Sequence, residues 1–180
     1  MKPIISENCR IRIPDQFTVG EYSIVDDFSY FSTQIEIGRF CHVAANCTIS
    51  GGPDLLFKLG DYSGVSTGTR IFCATDDFIQ DIVNILPAEF GSVKTPIQGD
   101  VIMERLTGIG ANTVVMPGTY IPEGAVIGAQ CFVPLNFEVK PWSVYAGNPL
   151  KLIMPRNKKK VLKQVEELEK RLDRIESPTA

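Results

Sequence analysis

The sequence predicts an all-β solenoid, a parallel β-helix of triangular turns carrying one long loop insertion and a C-terminal α-helix. Three observations carry this reading. An apolar residue recurs every six positions, small residues keep a fixed offset from it, and the period stops before a segment with helical spacing. The chain has 180 residues, 44% of them hydrophobic and 22% charged, an ordinary folded composition with enough mass for one real core.

The period runs through Ile13, Val19, Val25, Phe31, Ile37, Val43 and Ile49, then Leu59, Val65 and Ile71, then Met103, Ile109, Val115, Ile121, Ile127, Val133 and Val139. All are apolar, and all but Phe31, Leu59 and Met103 are Val or Ile, the residues that suit short strands. The next residue is often Gly, as at Gly20, Gly38, Gly60, Gly110 and Gly128, which predicts a permissive corner after each strand. The position two before an anchor is usually small: Ser23, Ser29, Cys41, Cys47, Ser63, Thr69, Thr113, Thr119, Ala125 and Cys131. Three six-residue steps make one triangular turn, and the run supplies about six turns. Cys41, Cys47 and Cys131 read as small core residues with no redox role.

Two interruptions break the register. Residues 51–58 form a short, turn-rich bulge. The second interruption, at about 72–101, is too long for an idle connection, and insertions in solenoids gather on binding faces, so a substrate role is expected of it. The solenoid is assigned to residues 1–156 and a helix with its tail to 157–180. In that last segment Val161, Val165, Leu168, Leu172 and Ile175 alternate spacings of four and three, an apolar seam too short for a free coiled coil. The helix is expected to pack on the solenoid or on a neighbouring copy, and residues 177–180 to fray.

Composition removes several function classes. A net charge of −3 with a pI near 5.2 opposes general nucleic-acid binding. No apolar run approaches a membrane span, and the N-terminus lacks the apolar core of a signal peptide. Five cysteines without a CxxC pair fit reduced thiols and a cytoplasmic location. The single histidine, His42, rules out a multi-histidine metal site within one chain, and no metal is expected.

The stretch from Ile109 to Gly118, then Ile127-Gly128-Ala129, then Ala146-Gly147-Asn148-Pro149-Leu150-Lys151, resembles the C-terminal half of the hexapeptide-repeat, left-handed β-helix acyltransferases. The repeat likeness covers most of residues 13–156, and the closing Ala-Gly-Asn-Pro-x-Lys element is more specific than the repeat. The left hand of the helix comes from this resemblance alone, since ordinary crossovers are right-handed. The resemblance implies acetyl-CoA or another acyl-CoA as co-substrate, a homotrimer, and active sites between adjacent subunits. It places acyl-CoA contacts at Ala111 and Ala129 with their neighbours Gly110 and Gly128, where small residues expose backbone groups to an amide-bearing arm. It also places Lys151 against a CoA phosphate, with Arg156 as a second basic candidate. Lys158, Lys159 and Lys160 oppose the dipole at a helix start and read as a solvated charge run.

One departure points to the acceptor. Many sugar O-acetyltransferases of the family carry a histidine as general base where Ile71-Phe72-Cys73-Ala74-Thr75-Asp76-Asp77 has Asp76. An exposed aspartate, with a pKa of about 3.9, is a poor base for an alcohol. An amine is already a nucleophile in its free-base form, so a carboxylate need only orient it or relay a proton. The departure resembles the branch acting on nucleotide-linked 4-amino sugars. That likeness implies Ser66 and Asp76 at the amine, with Glu123, and Asp77 beside Asp76, at the sugar. His42 is a further candidate acceptor contact, and it becomes the base if the protein is instead a sugar O-acetyltransferase. A third reading, from another class, is a β-helix scaffold without activity. The expected function is therefore acyl-CoA-dependent N-acylation of a nucleotide-linked amino sugar.

Overall fold

A computed structural model describes residues 1–82 and 93–176 of the chain. The centre of the insertion and the four-residue tail, with its expected fraying, lie outside the described residues.

The six-residue period folds as anticipated. Every third anchor falls on the same face, so the backbone of one turn pairs in parallel with the next. On the first face Ile24 pairs with His42, His42 with Gly64, Gly64 with Gly108, Gly108 with Val126, and Val126 with Val144. Val25 to Val43 is one 18-residue turn. Val43 to Val65 is four residues longer because of the bulge, and Val65 to Ile109 is longer again because of the insertion. Among the described residues the first face holds seven parallel strands, from Ile4–Ile5 to Ser143–Ala146. That is one rung more than the six turns expected, because its end rungs lie outside the run of anchors. The second face carries Arg10–Ile11, Arg70–Phe72, Val114–Val115 and Phe132–Val133. The third carries Phe17–Val19, Val101–Met103 and Tyr120–Ile121. Two long strands, Tyr30–Ile37 and Thr48–Leu59, pass through a corner and join these two faces.

Every anchor from Val25 to Val139 is buried. Each such side chain contributes about 1.5–3 kcal/mol through removal from water. Ile13 and Val19, with fewer turns beneath them, are half-buried. The small residues do more than fill space. Ser23 Oγ donates to the Gly38 carbonyl at 2.7 Å, and Thr113 Oγ1 to the Gly128 carbonyl at 2.8 Å, so they satisfy corner backbone groups. Cys41, Cys47, Cys73 and Cys131 are buried, and burial pushes the Cys41 and Cys73 thiols up to about 11. That is the environment of inert structural thiols.

The corners differ from the sequence-based expectation. The left-handed backbone falls three residues after the anchor, at Tyr22, Phe40, Asn46, Tyr62, Leu106 and Asn112, not at the glycine that follows it. The glycine is there for close approach instead. A Cβ on Gly60 would lie 2.5 Å from Arg105 N, and one on Gly110 would lie 2.6 Å from Gly128 C. Stacked turns meet too closely there for any side chain.

The bulge is absorbed within Thr48–Leu59. Ser32 pairs with Ser50, Thr33 with Gly52 and Gln34 with Leu56, which leaves Gly51 and residues 53–55 unmatched in the register. The described ends of the insertion form a hairpin arm, Ala74–Thr75 antiparallel to Ile97–Gln98. The final strand, Lys151–Pro155, turns back antiparallel on Ser143–Ala146 and closes that end of the first face. The C-terminal helix spans Lys158–Glu176, and Asn157 Oδ1 caps its start by accepting the Lys160 N–H at 3.0 Å. It packs on its own solenoid, with Tyr62 donating a hydrogen bond to Glu169. Of the seam, Leu172 is buried and Val161 and Val165 are half-buried, while Leu168 and Ile175 stay exposed.

Candidate functional site

Four rungs of the first face line a groove of about 520 Å³. Its shape follows from the outward-facing residues in register, His42, Gly64, Gly108 and Val126. The two glycines leave a bare backbone floor between a histidine wall and a valine wall. The solenoid does not demand these two. A Cβ on Gly64 would lie 3.7 Å from its nearest neighbour and one on Gly108 3.9 Å, both ordinary contacts.

Across the other edge of the groove runs a column fixed by register: Ser66, Gly110, Gly128 and Ala146, with Lys151 paired to Ala146. Four strand spacings separate its ends, roughly 19 Å. The groove therefore brings together Ser66, His42, Gly110 and Gly128, and Lys151 extends the same line. The Ser66 amide donates to the Ile109 carbonyl at 2.9 Å, while its hydroxyl has no hydrogen-bond partner among the described residues. That leaves the hydroxyl open to a ligand.

His42 is exposed, and its Nε2 lies 2.8 Å from Asp26 Oδ2. The carboxylate orients the ring and leaves Nδ1 as the second polar atom. Sequence reasoning missed Asp26. The signal was present: Ile24 and Asp26 flank the anchor Val25, and with Ile24 opposite His42, Asp26 is its diagonal neighbour.

The backbone at the glycine corners is largely occupied. Gly110 N–H donates to the Ile127 carbonyl and Gly128 N–H to the Tyr145 carbonyl, both at 2.8 Å. Their carbonyls accept from Thr69 and Thr113. Ala111 is half-buried and its carbonyl accepts the Gln130 N–H at 2.8 Å, whereas Ala129 is exposed. Lys151 is exposed at the start of the final strand. Arg156 is engaged elsewhere: its guanidinium donates to the Leu106 and Gly124 carbonyls, bracing two corners, and burial lowers its pKa. Lys158 lies over the Trp142 ring, 5.0 Å from the centroid, so it is more than a solvated charge.

The expected acceptor residues are not gathered in one place. Asp76 lies just past the first strand of the hairpin arm, and Lys94 Nζ is 2.7 Å from its Oδ1. Asp77 closes the following turn, accepting the Ile79 N–H at 2.9 Å, the Gln80 N–H at 3.2 Å and Gln80 Nε2 at 2.8 Å. These bonds hold its carboxyl below the usual range. Glu123 is half-buried at the corner that opens the Val126–Ile127 rung, and its carbonyl accepts the Trp142 N–H at 3.1 Å. Among the described residues, no hydrogen bond joins Ser66, Asp76 and Glu123 within one chain. No group of His, Cys, Asp and Glu among them is arranged to hold a metal ion, and no described helix is long and apolar enough to cross a membrane.

No family model matches the chain. The dTDP-4-amino-4,6-dideoxy-D-glucose acyltransferase of Escherichia coli is 27% identical, over 81% of this chain and 74% of that protein. A chloramphenicol acetyltransferase of Agrobacterium fabrum is 36% identical, over 74% of this chain and 67% of that protein. The crystal structure of AntD, an N-acyltransferase from Bacillus cereus, in complex with dTDP and 3-hydroxybutyryl-CoA, superposes with a TM-score of 0.82. It is 28% identical, over 94% of this chain and 88% of that one.

Proposed function

The chain belongs to the hexapeptide-repeat, left-handed β-helix acyltransferases, and we propose that within this family it transfers an acyl group from acyl-CoA to the amino group of a nucleotide-linked amino sugar. One observation carries the reading: a single groove joins an acceptor end, with Ser66 and His42, to a column of small residues that ends at Lys151. An extended pantetheine-diphosphate arm covers such a span. Its thioester lies near Ser66, and its far end brings the 3′-phosphate of CoA to Lys151. Because the Gly110 and Gly128 amides are occupied, its hydrogen bonds go to the exposed Ala129 corner and to second lone pairs of the corner carbonyls.

Ser66, Asp76 and Glu123 hold the acceptor. Two relationships support this. AntD variants changed at a serine and at an aspartate ten positions later are known in complex with CoA, together with dTDP or dTDP-4-amino-4,6-dideoxyglucose. Ser66 and Asp76 are separated by the same ten positions. The amine nitrogen attacks the thioester carbonyl, the C–N bond forms, the C–S bond breaks, and the amine proton leaves with the CoA thiol. Asp77, already engaged in its turn, shapes the loop that presents Asp76. A homotrimer supplies what one chain lacks, since an arm of one subunit laid along the groove of another brings Asp76 to Ser66. Light scattering that finds only monomer at micromolar concentration would refute the trimer.

The pairing of His42 with Asp26 favours a second reading, sugar O-acetylation with His42 as base. The deciding experiment follows thiol release from acyl-CoA across nucleotide-linked amino sugars and their hydroxyl counterparts. Turnover with amines alone supports N-acylation, preference for hydroxyls supports the second reading, and no acyl-CoA binding leaves only a scaffold.

A further inference from the structure

We propose that Lys94 is a positioning residue for the acceptor site: it holds one carboxylate oxygen of Asp76 so that the other meets the acceptor amine. The inference rests on the reading of Asp76 given above. The hairpin arm creates the contact. Thr75 pairs with Ile97, and the returning strand is tied a second time where Asp81 Oδ2 accepts the Thr95 N–H at 2.6 Å. Lys94, immediately before the second tie, lies 2.7 Å from Asp76 Oδ1.

This ion pair differs from the others described. Lys58–Glu36 and Arg171–Glu167 are more than half exposed, the setting in which ion pairs have little effect. The Lys94 and Asp76 side chains are 15% and 28% exposed, so the contact is sheltered and directional. The two adjacent aspartates divide the work. Asp77 commits both oxygens to the turn, whereas Asp76 Oδ2 has no hydrogen-bond partner among the described residues. The Lys94–Asp76 pair carries no net charge. With Lys94 on Oδ1, the free Oδ2 lone pairs can accept an N–H from the amine.

The test compares Lys94→Met, Lys94→Arg, Asp76→Asn and the Lys94→Met/Asp76→Asn double variant in the full chain, with an amino-sugar acceptor that the wild type turns over. Lys94→Met should lower kcat about tenfold or more while leaving the KM for acyl-CoA and inhibition by dTDP alone unchanged. Lys94→Arg should recover part of the loss, which also keeps the test readable if Lys94→Met folds poorly. The double variant should be no worse than Asp76→Asn, because the two residues act as one unit. Additive losses would overturn the proposal. So would equal weakening of dTDP inhibition, which would put Lys94 on the diphosphate. Wild-type turnover in Lys94→Met beside an impaired Asp76→Asn overturns this inference alone, whereas wild-type turnover in Asp76→Asn overturns the reading of Asp76 itself.

Discussion

Replacing Gly108 by Val separates the groove from the fold that builds it. A Cβ at this position would meet Val126 Cγ1 and Cγ2 at 3.9 Å and the Gly64 carbonyl oxygen at 4.0 Å, so the solenoid has room for it. The residue sits in an ordinary strand pairing with Gly64 and Val126. Removing a glycine from such a position restricts the unfolded chain and stabilises the fold by about 0.4–1 kcal/mol. The ligand experiences the opposite. A branched side chain standing on the bare floor overpacks whatever lies there, at a cost of about 1–3 kcal/mol, or about 5- to 150-fold in affinity. The assay pairs thermal melting with acyl-CoA binding by calorimetry. The expected result is a melting temperature equal to or above wild type with acyl-CoA binding weakened at least fivefold. Gly110→Ala is the control, since its Cβ would lie 2.6 Å from Gly128 C and it should lower the melting temperature. Wild-type affinity in Gly108→Val, or a loss of stability matching Gly110→Ala, would refute the argument that this floor is kept bare for a ligand.

Three further outcomes are expected. Lys151→Ala should weaken CoA binding by about 1.5–3 kcal/mol yet leave dephospho-CoA nearly unaffected, because a charge-assisted contact to the 3′-phosphate is lost; equal effects on both ligands would place Lys151 elsewhere. Asp76→Asn should reduce turnover about 10²- to 10⁴-fold if Asp76 relays the amine proton, and more than His42→Asn does; abolition of turnover by His42→Asn with Asp76→Asn near wild type would move the hydroxyl acceptor ahead. The Cys41 and Cys73 thiols, raised from 9.0 to about 11 by burial, should resist alkylation at pH 8 in the folded protein. Because the unfolded chain ionises them first, their contribution to stability is complete below pH 9 and is lost as pH rises towards 11, which melting curves across that range would read.

The fold was legible because each turn repeats the same physical problem. An inward residue must fill a triangular core, so Val and Ile recur at Val43, Val65, Ile109 and Ile127, and the register between turns follows from counting. The corners were read less well. Glycine after the anchor suggested the permissive corner residue, but the left-handed conformation is adopted three residues after the anchor by Tyr22, Phe40, Tyr62 and Leu106. Composition does not record which of two neighbouring positions turns the chain, because a large side chain at a corner can point outward into stacking. Tyr22, Phe40 and Tyr62 do this, with successive ring centroids 4.8 and 5.1 Å apart.

The site was only partly legible for a related reason: one residue type answers to different causes. Gly60 and Gly110 are small because the next turn leaves no space, whereas Gly64 and Gly108 are small although space is there. In the sequence the two kinds look alike, and only the distance from an imagined Cβ to its neighbours separates them. The same holds for aspartate. Asp76 and Asp77 are adjacent and chemically identical, yet Asp77 is engaged by Ile79 and Gln80 and Asp76 by Lys94. The six-residue period fixes positions on the solenoid faces, so Ser66, Gly110 and Gly128 fall in one column, which Lys151 joins only through the antiparallel return strand. It says nothing about the insertion, whose hairpin pairs Thr75 with Ile97 outside the repeat. Asp76 and Lys94 lie on that arm, so the contact between them depends on a pairing that the repeat does not encode.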